Sequence, residues 1–451
     1  MRNTFSDTIV APATNIAKQA ICIIRISGEH AFKIVNQSLA KKIEAQPQTV
    51  LRNFFDGDVL LDQVLLLTFV APNSFTGEDV IEINCHGGVL VAKKIMETII
   101  RNGARIAERG EFSKRAFLNQ KISLIQAQGI NDLIEAKNDL ALRISAKNMA
   151  GKTNAIVNIL KNNVMDIISQ VQTAIDYPEY EETENITPIE IGQQIKELNV
   201  KLLKALEISK RASVANNGLK TVIFGKPNVG KSSLLNALLN EDKAIVSDEM
   251  GTTRDIVEGE ITLENFTLHL LDTAGIRKTE NKLEQAGIDR SLSHSQSADL
   301  ILYIIDHDEK YEDLIDVDKD KTIFIFNKLD LLSPDEVKQL QKTFQALRPI
   351  FISTVNNEIE DLVKAIETKF NMNKISQSDD LILTNVNEIS KLEMAATKVA
   401  IAHENITAGF SIDLINVDLR EAMDIFNDLL GLADINEEII DNIFKKYCLG
   451  K

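Results

Sequence analysis

The octapeptide Gly225–Ser232, GKPNVGKS, lies between an apolar run, TVIF, and an amphipathic one, SSLLNALL. No other stretch constrains the chain as much. A buried strand that feeds a turn of converging backbone N–H groups, followed at once by a helix N-terminus, is a cradle for an anion. The pattern GxxxxGK[ST] predicts that Asn228, Val229, Gly230, Lys231, Ser232 and Ser233 wrap the phosphates of a nucleoside triphosphate. Lys231 would reach the β and γ phosphates, and Ser232 would ligate Mg2+.

Further along, TIFIFNKLD ends an apolar run in Asn327, Lys328 and Asp330. A carboxylate at Asp330 can accept from the ring N–H and the exocyclic amine of guanine together, whereas adenine has no such donor pair and would leave the charge unsatisfied. Asn327 suits the N7 edge, and the stem of Lys328 would cover the ring. FIST, Phe351–Thr354, closes another apolar run, so Ser353, Thr354 and Val355 stand where a loop would donate N–H to guanine O6. Between these pieces lie GTTRD, with Thr253 as a second hydroxyl for Mg2+, and LHLLDTAG. Asp272 is placed to hold a metal-bound water and Gly275 to offer its N–H to the γ phosphate. The next residue, Ile276, has no hydrogen-bonding group with which to orient water. Because a missing orienting or charge-stabilising group costs on the order of 10^3 to 10^5 in rate, hydrolysis is expected to be slow until assembly supplies help. Glu280, Glu284 and a cation near the phosphates are the candidates.

At 451 residues and 44% apolar content the chain has room for several domains with cores of their own. A net charge of −16 argues against a broad nucleic-acid-binding surface and against DNA as a partner, leaving local RNA contact open. The densest basic stretch holds Arg101, Arg105, Arg109, Lys114, Arg115 and Lys121, and reads most simply as a solvated face. There is no membrane-length apolar run, and the start, MRNTFSDTIV, is not a targeting sequence, so a cytoplasmic protein is expected. Cys22, Cys85 and Cys448 lack metal spacing and are expected to be reduced thiols.

Proline is absent between Pro72 and Pro178 and after Pro349, and apolar residues recur at helical spacing from Leu118 to Ile175 and from Ile389 to Phe444. AICIIRI, VLLLTFV and VIEINCH read as strands, and HAFKIVNQSL and VLVAKKIMETII as helices. The expected fold is mixed α/β and α: an α+β domain over 1–118, a helical domain split between 119–217 and 372–451, and a Ras-like nucleotide module, 218–371, inserted into it.

Outside the nucleotide core, DTIVA, IIRISG, FTGEDVIEINCHGG, RGEFSKRAFLNQKISLIQAQGINDLIEA, IDYPEY and the terminus FKKYCLGK together resemble the tRNA-modification GTPase family MnmE, also called TrmE. The resemblance spans nearly the whole chain. It implies an N-terminal domain that binds folate and dimerises. It also implies joint action with the flavoprotein MnmG, which adds an aminomethyl or carboxymethylaminomethyl group at C5 of the wobble uridine of certain tRNAs. The one-carbon unit would come from 5,10-methylenetetrahydrofolate, with 5-formyltetrahydrofolate as an analogue. The family's folate contacts fall on Arg25, Glu82, Lys121 and Lys451. Its K+ ligands fall on Asn228, Ser247, Glu249 and Thr252, within a first switch loop that also contains Asp248, Met250, Gly251 and Thr253. Asp272, Thr273, Ala274 and Gly275 form the second switch, and Glu284 matches the acid that orients water, so catalysis would rest on Lys231, Asp272 and Glu284. Cys448 matches a terminal cysteine with an entertained role in the modification chemistry. TNIAK, Thr14–Lys18, departs from the family's glycine- and proline-rich turn. The rival readings are an Era- or Der-like ribosome-assembly GTPase, which would lack FTGED and CxGK, and a non-catalytic scaffold.

Overall fold

The computed structural model describes residues 6–176, 187–239, 245–246, 257–271, 298–306, 309, 318–370, 381–432, 437–445, 447 and 450. The chain forms two compact units, one of residues 1–131 with 424–451 and one of residues 132–423.

In the first unit, strands β1 (Ile9–Pro12), β2 (Ile21–Ser27), β3 (Gln48–Asp56), β4 (Val59–Phe69), β5 (Val80–His86) and β6 (Arg105–Ile106) build one sheet in the order β3-β4-β5-β2-β1-β6. Alternation sets its faces. Cys22, Ile24 and Ile26 of β2 and Ile81, Ile83 and Cys85 of β5 point into a core closed by helices α1 (Ala31–Asn36) and α2 (Val89–Arg101). Cys22 and Cys85 are opposite each other, and burial, with Cys22 alongside, pushes the Cys85 thiol up to about 12, which leaves it inert at neutral pH.

In the basic stretch Arg101, Arg105, Arg109 and Lys121 are exposed, as a solvated face requires, but one member is not. Arg115 of α3 (Glu111–Leu118) is fully buried, its guanidinium donating to Asp7 Oδ1 at 2.8 Å, Glu111 Oε1 at 3.0 Å and Glu78 Oε1 at 3.1 Å. Arg105 shares Asp7 and Glu111 with it, at 2.8 and 2.6 Å. Burial alone would raise Glu111, but the hydrogen bonds from Arg105, the Glu108 amide and Arg115 hold its carboxyl below the usual range. Burial prevails at Glu78 and raises it. Removing one partner from such a buried charge set typically costs about 3–5 kcal/mol, because the remaining charges are stranded. The other cations are engaged as well: Arg101 with Asp56, Lys114 with Asp441, Arg109 with the Tyr447 carbonyl and Lys121 with the Pro72 carbonyl.

The C-terminal helix Glu437–Phe444 packs on this unit through Phe444, which lies 6.1 Å from Phe117 and 5.1 Å from Tyr447 between ring centroids. Gly110 permits that approach. Its φ is 69°, and a Cβ there would lie 2.2 Å from the Phe444 carbonyl oxygen.

The second unit contains helices α5 (Asp139–Met149), α6 (Lys152–Asp176) and α7 (Pro188–Asn217), which follow α4 (Leu124–Glu135) in the chain. Thr187 and Glu190 close α7 with reciprocal capping bonds, and Pro188 opens its first turn. After Gly218 comes a sheet of β7 (Leu219–Gly225), β8 (Ile245–Val246), β9 (Val257–Thr262), β10 (Thr267–Leu271), β11 (Leu300–Ile304), β12 (Thr322–Phe326) and β13 (Ile350–Phe351). Its order is β13-β12-β11-β7-β10-β9-β8, with β13, β12, β11 and β10 all parallel to their neighbours toward β7. LILYI and TIFIF are buried along their whole length, as parallel strands covered on both faces must be. Leu140 and Ile144 of α5 and Ala212 of α7 share one core with Leu219, Phe266 and Leu268, so the helices and the sheet are packed as one body.

Within that unit Glu388, in the helix Val386–Thr407, is buried, and burial together with the nearby Asp132 pushes its carboxyl up to about 8. A folded-state value above the ordinary 4.5 means that Glu388 favours folding fully below that pH and that this contribution is lost as pH rises through about 8. Urea midpoints measured across this window should therefore fall with pH in the native chain, and Glu388→Gln should flatten the slope; an unchanged slope contradicts the assignment.

Candidate functional site

Strand β7 delivers the phosphate loop at the C-terminal edge of the sheet, where open α/β sheets place their ligands. Gly225, with φ of 147°, passes so close to β11 that a Cβ would lie 2.5 Å from the Ile304 carbonyl. The backbone then turns through Asn228, φ 65°, and Gly230, φ 104°. Positive φ at alternate positions turns successive N–H groups toward one side, the geometry of an anion nest. α8 (Lys231–Leu239) starts at the loop's end, so the amides of Ser232 and Ser233 belong to its first turn, where N–H groups have no partner within the helix.

The residues expected to read guanine meet this loop directly. Asn327, buried just after β12, donates from Nδ2 to the Val229 carbonyl at 3.2 Å and accepts at Oδ1 from the Thr354 amide at 3.3 Å. A Cβ on Gly230 would lie 2.1 Å from the same Nδ2, which is why glycine is required there. Asn327 therefore braces one loop against the other. Lys328, at φ 66°, donates from Nζ to the Asn228 carbonyl at 3.0 Å, so its stem spans the space between the two loops. Asp330 Oδ1 accepts from Ser353 Oγ at 2.6 Å, which orients the carboxylate. Leu329 N to Ile352 O at 3.0 Å completes the join, and Val355 stays exposed.

Lys231 Nζ donates to the carbonyls of Gly225 and Lys226, both at 2.7 Å. Burial draws its pKa below the ordinary lysine value, a cost that a phosphate oxygen would offset. The arrangement fits a nucleotide polyphosphate, and Ser232 stands at the helix start where a Mg2+ ligand is expected.

In the first unit, Arg25 and Glu82 are cross-strand partners on the face of the sheet opposite the core. The guanidinium donates to Glu82 Oε1 at 2.9 Å and to the Gly450 carbonyl at 2.9 Å, with the Phe112 ring 5.8 Å away. Gly450 fits against β1: at φ 88°, a Cβ would lie 2.2 Å from the Pro12 carbonyl. The chain's end thus meets the Arg25–Glu82 pair. Lys121 has a separate anchor on the loop after β4, its Nζ on the Pro72 carbonyl and its stem against Gly77. Phe112 and the Arg115 charge set were not legible as parts of this region, since their partners are remote in sequence. Ser247, Asp248, Glu249, Met250, Gly251, Thr252, Thr253, Asp272, Thr273, Ala274, Gly275, Glu284, Cys448 and Lys451 lie outside the described residues.

A phosphate nest on the central strand, tied through one asparagine to an aspartate-bearing loop on the next strands, defines a P-loop guanine-nucleotide-binding protein. Residues 124–448 match the family described as MnmE helical domain, and residues 8–121 match GTP-binding protein TrmE N-terminus. Relatives called tRNA modification GTPase MnmE include those of Mesoplasma florum, 48% identical with 100% of both chains covered, and Mycoplasma mycoides subsp. mycoides SC, 48% with 99% of both covered. That of Geobacillus kaustophilus is 36% identical, again with 99% of both chains covered. The chain belongs to the MnmE family of tRNA modification GTPases. Among the described residues, no helix is long and apolar enough to cross a membrane.

Gly230→Ala should weaken binding of a fluorescent GDP analogue by more than about tenfold, since the new Cβ and the positive φ both displace the loop that cradles the phosphates. Affinity within about twofold of the native chain would contradict this reading of the loop.

Proposed function

We propose that this chain hydrolyses GTP as a K+-stimulated step in tRNA wobble-uridine modification, adding an aminomethyl or carboxymethylaminomethyl group at C5 together with the flavoprotein MnmG. The observation that carries the nucleotide half is Asn327, which joins the Val229 carbonyl to the Thr354 amide and so makes phosphate and base recognition one rigid site. Catalysis of this kind is mainly positioning and electrostatics. Lys231 holds the β and γ phosphates, Asp330 selects guanine, Asp272 is placed to hold a metal-bound water, and Glu284 orients the attacking water. Ser232 and Thr253 would hold Mg2+, and Asn228, Ser247, Glu249 and Thr252 would hold K+; when bound, the two cations would offset phosphate charge, while Glu284 provides the hydrogen-bonding group that Ile276 lacks. Two copies of the chain facing each other would order these loops.

The Arg25–Glu82 pair, with the chain's end against it, supports a folate site in the N-terminal domain: guanidinium and carboxylate side by side match a pterin's acceptor-donor edge or a glutamate tail. Lys121 and Lys451 would bind the tail. Domain limits of 1–118, 119–217, 218–371 and 372–451 accompany this reading, with the last helix docked on the N-terminal unit. An Era- or Der-like role has no observation in its favour.

Deleting the gene should remove the C5-modified wobble uridine from tRNA nucleoside digests, and complementation should restore it only when the turnover of the purified protein is higher in KCl than in NaCl. Unchanged nucleosides would end the tRNA assignment, and equal rates in the two salts would end the K+ assignment.

A further inference from the structure

Helix α7 ends at Asn217, and the chain turns at Gly218, φ 75°, directly into the strand that carries the phosphate loop. His269 of β10 closes that turn. Its Nε2 lies 2.9 Å from the Asn217 carbonyl oxygen, and a Cβ on Gly218 would lie 2.3 Å from the same nitrogen. A carbonyl only accepts, so Nε2 is the protonated nitrogen. Across the β9–β10 ladder His269 is in register with Glu260; its Nδ1, 3.8 Å from Oε2, makes no hydrogen bond, so the link between these two residues is the ladder pairing itself. Glu260 is held in turn by Lys137, whose Nζ donates to both carboxylate oxygens at 2.8 and 2.7 Å. The two residues after Lys137 grip the same hairpin: Asn138 Nδ2 donates to Thr267 Oγ1 at 3.4 Å and the Asp139 amide to the Glu264 carbonyl at 2.9 Å.

The series Lys137, Glu260, His269, Asn217 thus runs from the start of α5, across the hairpin, to the end of α7. The ladder between β9 and β10 already sets the register of the two strands, so the hairpin does not need these side-chain bonds to form. What they add is a fixed placement of the hairpin relative to both helices. That placement matters because of what the hairpin joins. β9 begins at Val257, shortly after Thr253, and β10 ends at Leu271, the residue before Asp272. Both segments assigned to the metal and the attacking water therefore leave from this hairpin, while the phosphate loop leaves from β7, to which β10 is paired.

We propose that Lys137, Glu260 and His269 are positioning residues for GTP hydrolysis, which make turnover, and not nucleotide affinity, depend on how the helical segments hold the β9–β10 hairpin. The inference rests on the GTPase reading. Affinity is set by the phosphate nest and Asp330, which the series does not touch, so its loss should show in kcat alone. Simple interface glue would instead show in stability alone.

The test uses the full chain with Lys137→Met, Glu260→Gln, the double variant and the charge exchange Lys137→Glu with Glu260→Lys. For each, GTP turnover, affinity for a fluorescent GDP analogue and the thermal midpoint are measured. Each single change should lower kcat about three- to tenfold with GDP affinity within about twofold, as expected for coupling carried through a packed network. The double variant should lose no more than the worse single one, and the charge exchange should recover part of the rate. Folded variants with native kcat, losses that multiply in the double variant, or losses that follow GDP affinity and thermal midpoint together would overturn the inference. A native chain that turns over no GTP would remove the GTPase reading and this inference with it, whereas native turnover with indifferent variants would remove only this inference.

Discussion

The nucleotide site depends on the missing side chain at Gly230. Only because that position is bare can the Asn327 amide lie against the phosphate loop and take the Val229 carbonyl as acceptor. The buried strands on either side explain why so few contacts suffice. β7, β11 and β12 are parallel and covered on both faces, so their C-terminal ends are rigid platforms and short loops leaving them have little freedom. The bonds from Asn327 and Lys328 between two such loops set the distance between the candidate phosphate and base sites. Leaving the buried partner without its bond would cost about 1–3 kcal/mol in addition to the lost alignment.

An analogous constraint organises the first unit, though there it is electrostatic. Arg115 draws Asp7, Glu78 and Glu111 onto one buried guanidinium, and Ser27 and Thr76 extend the set by hydrogen bonds to Glu78 and to each other. The segments DTIVA, FTGED and RGEFSKRAF, separate in sequence, thereby become one assembly beside the strand that carries Arg25. The C-terminal tail reaches that strand because Gly110 and Gly450 each admit a backbone contact that no side chain would allow. The long-range order of this unit thus depends on two glycines and one arginine, which have little in common with the local propensities that form its strands.

The nucleotide loops were legible in the sequence because their chemistry demands particular residues at short spacing after a buried strand. GKPNVGKS and NKLD meet that demand within a few residues each, and the helices were legible from their apolar spacing. β3, Gln48–Asp56, was not: it pairs at the edge of its sheet and buries little beyond Phe54, so no strong alternation marks it. The exposed cations between Arg101 and Lys121 fit a solvated basic face, but the burial of Arg115 was hidden, because the partners of the stretch, Asp7, Asp56, Glu78 and Asp441, are brought in by tertiary folding that no local pattern records. The bonds from Lys137 to Glu260 and from His269 to Asn217 were invisible for the same reason. In both cases local periodicity revealed an element's existence, while the side chains that hold elements to one another emerged only with the fold.

The claim that one braced site reads guanine and polyphosphate together is tested most directly by competition. Labelled GDP bound to the full chain in Mg2+ should be displaced by unlabelled GTP and GDP at concentrations at least about a hundredfold lower than by ATP, because adenine leaves the Asp330 carboxylate without its donor pair. Displacement by ATP at the same concentration as GTP would contradict the account at its centre.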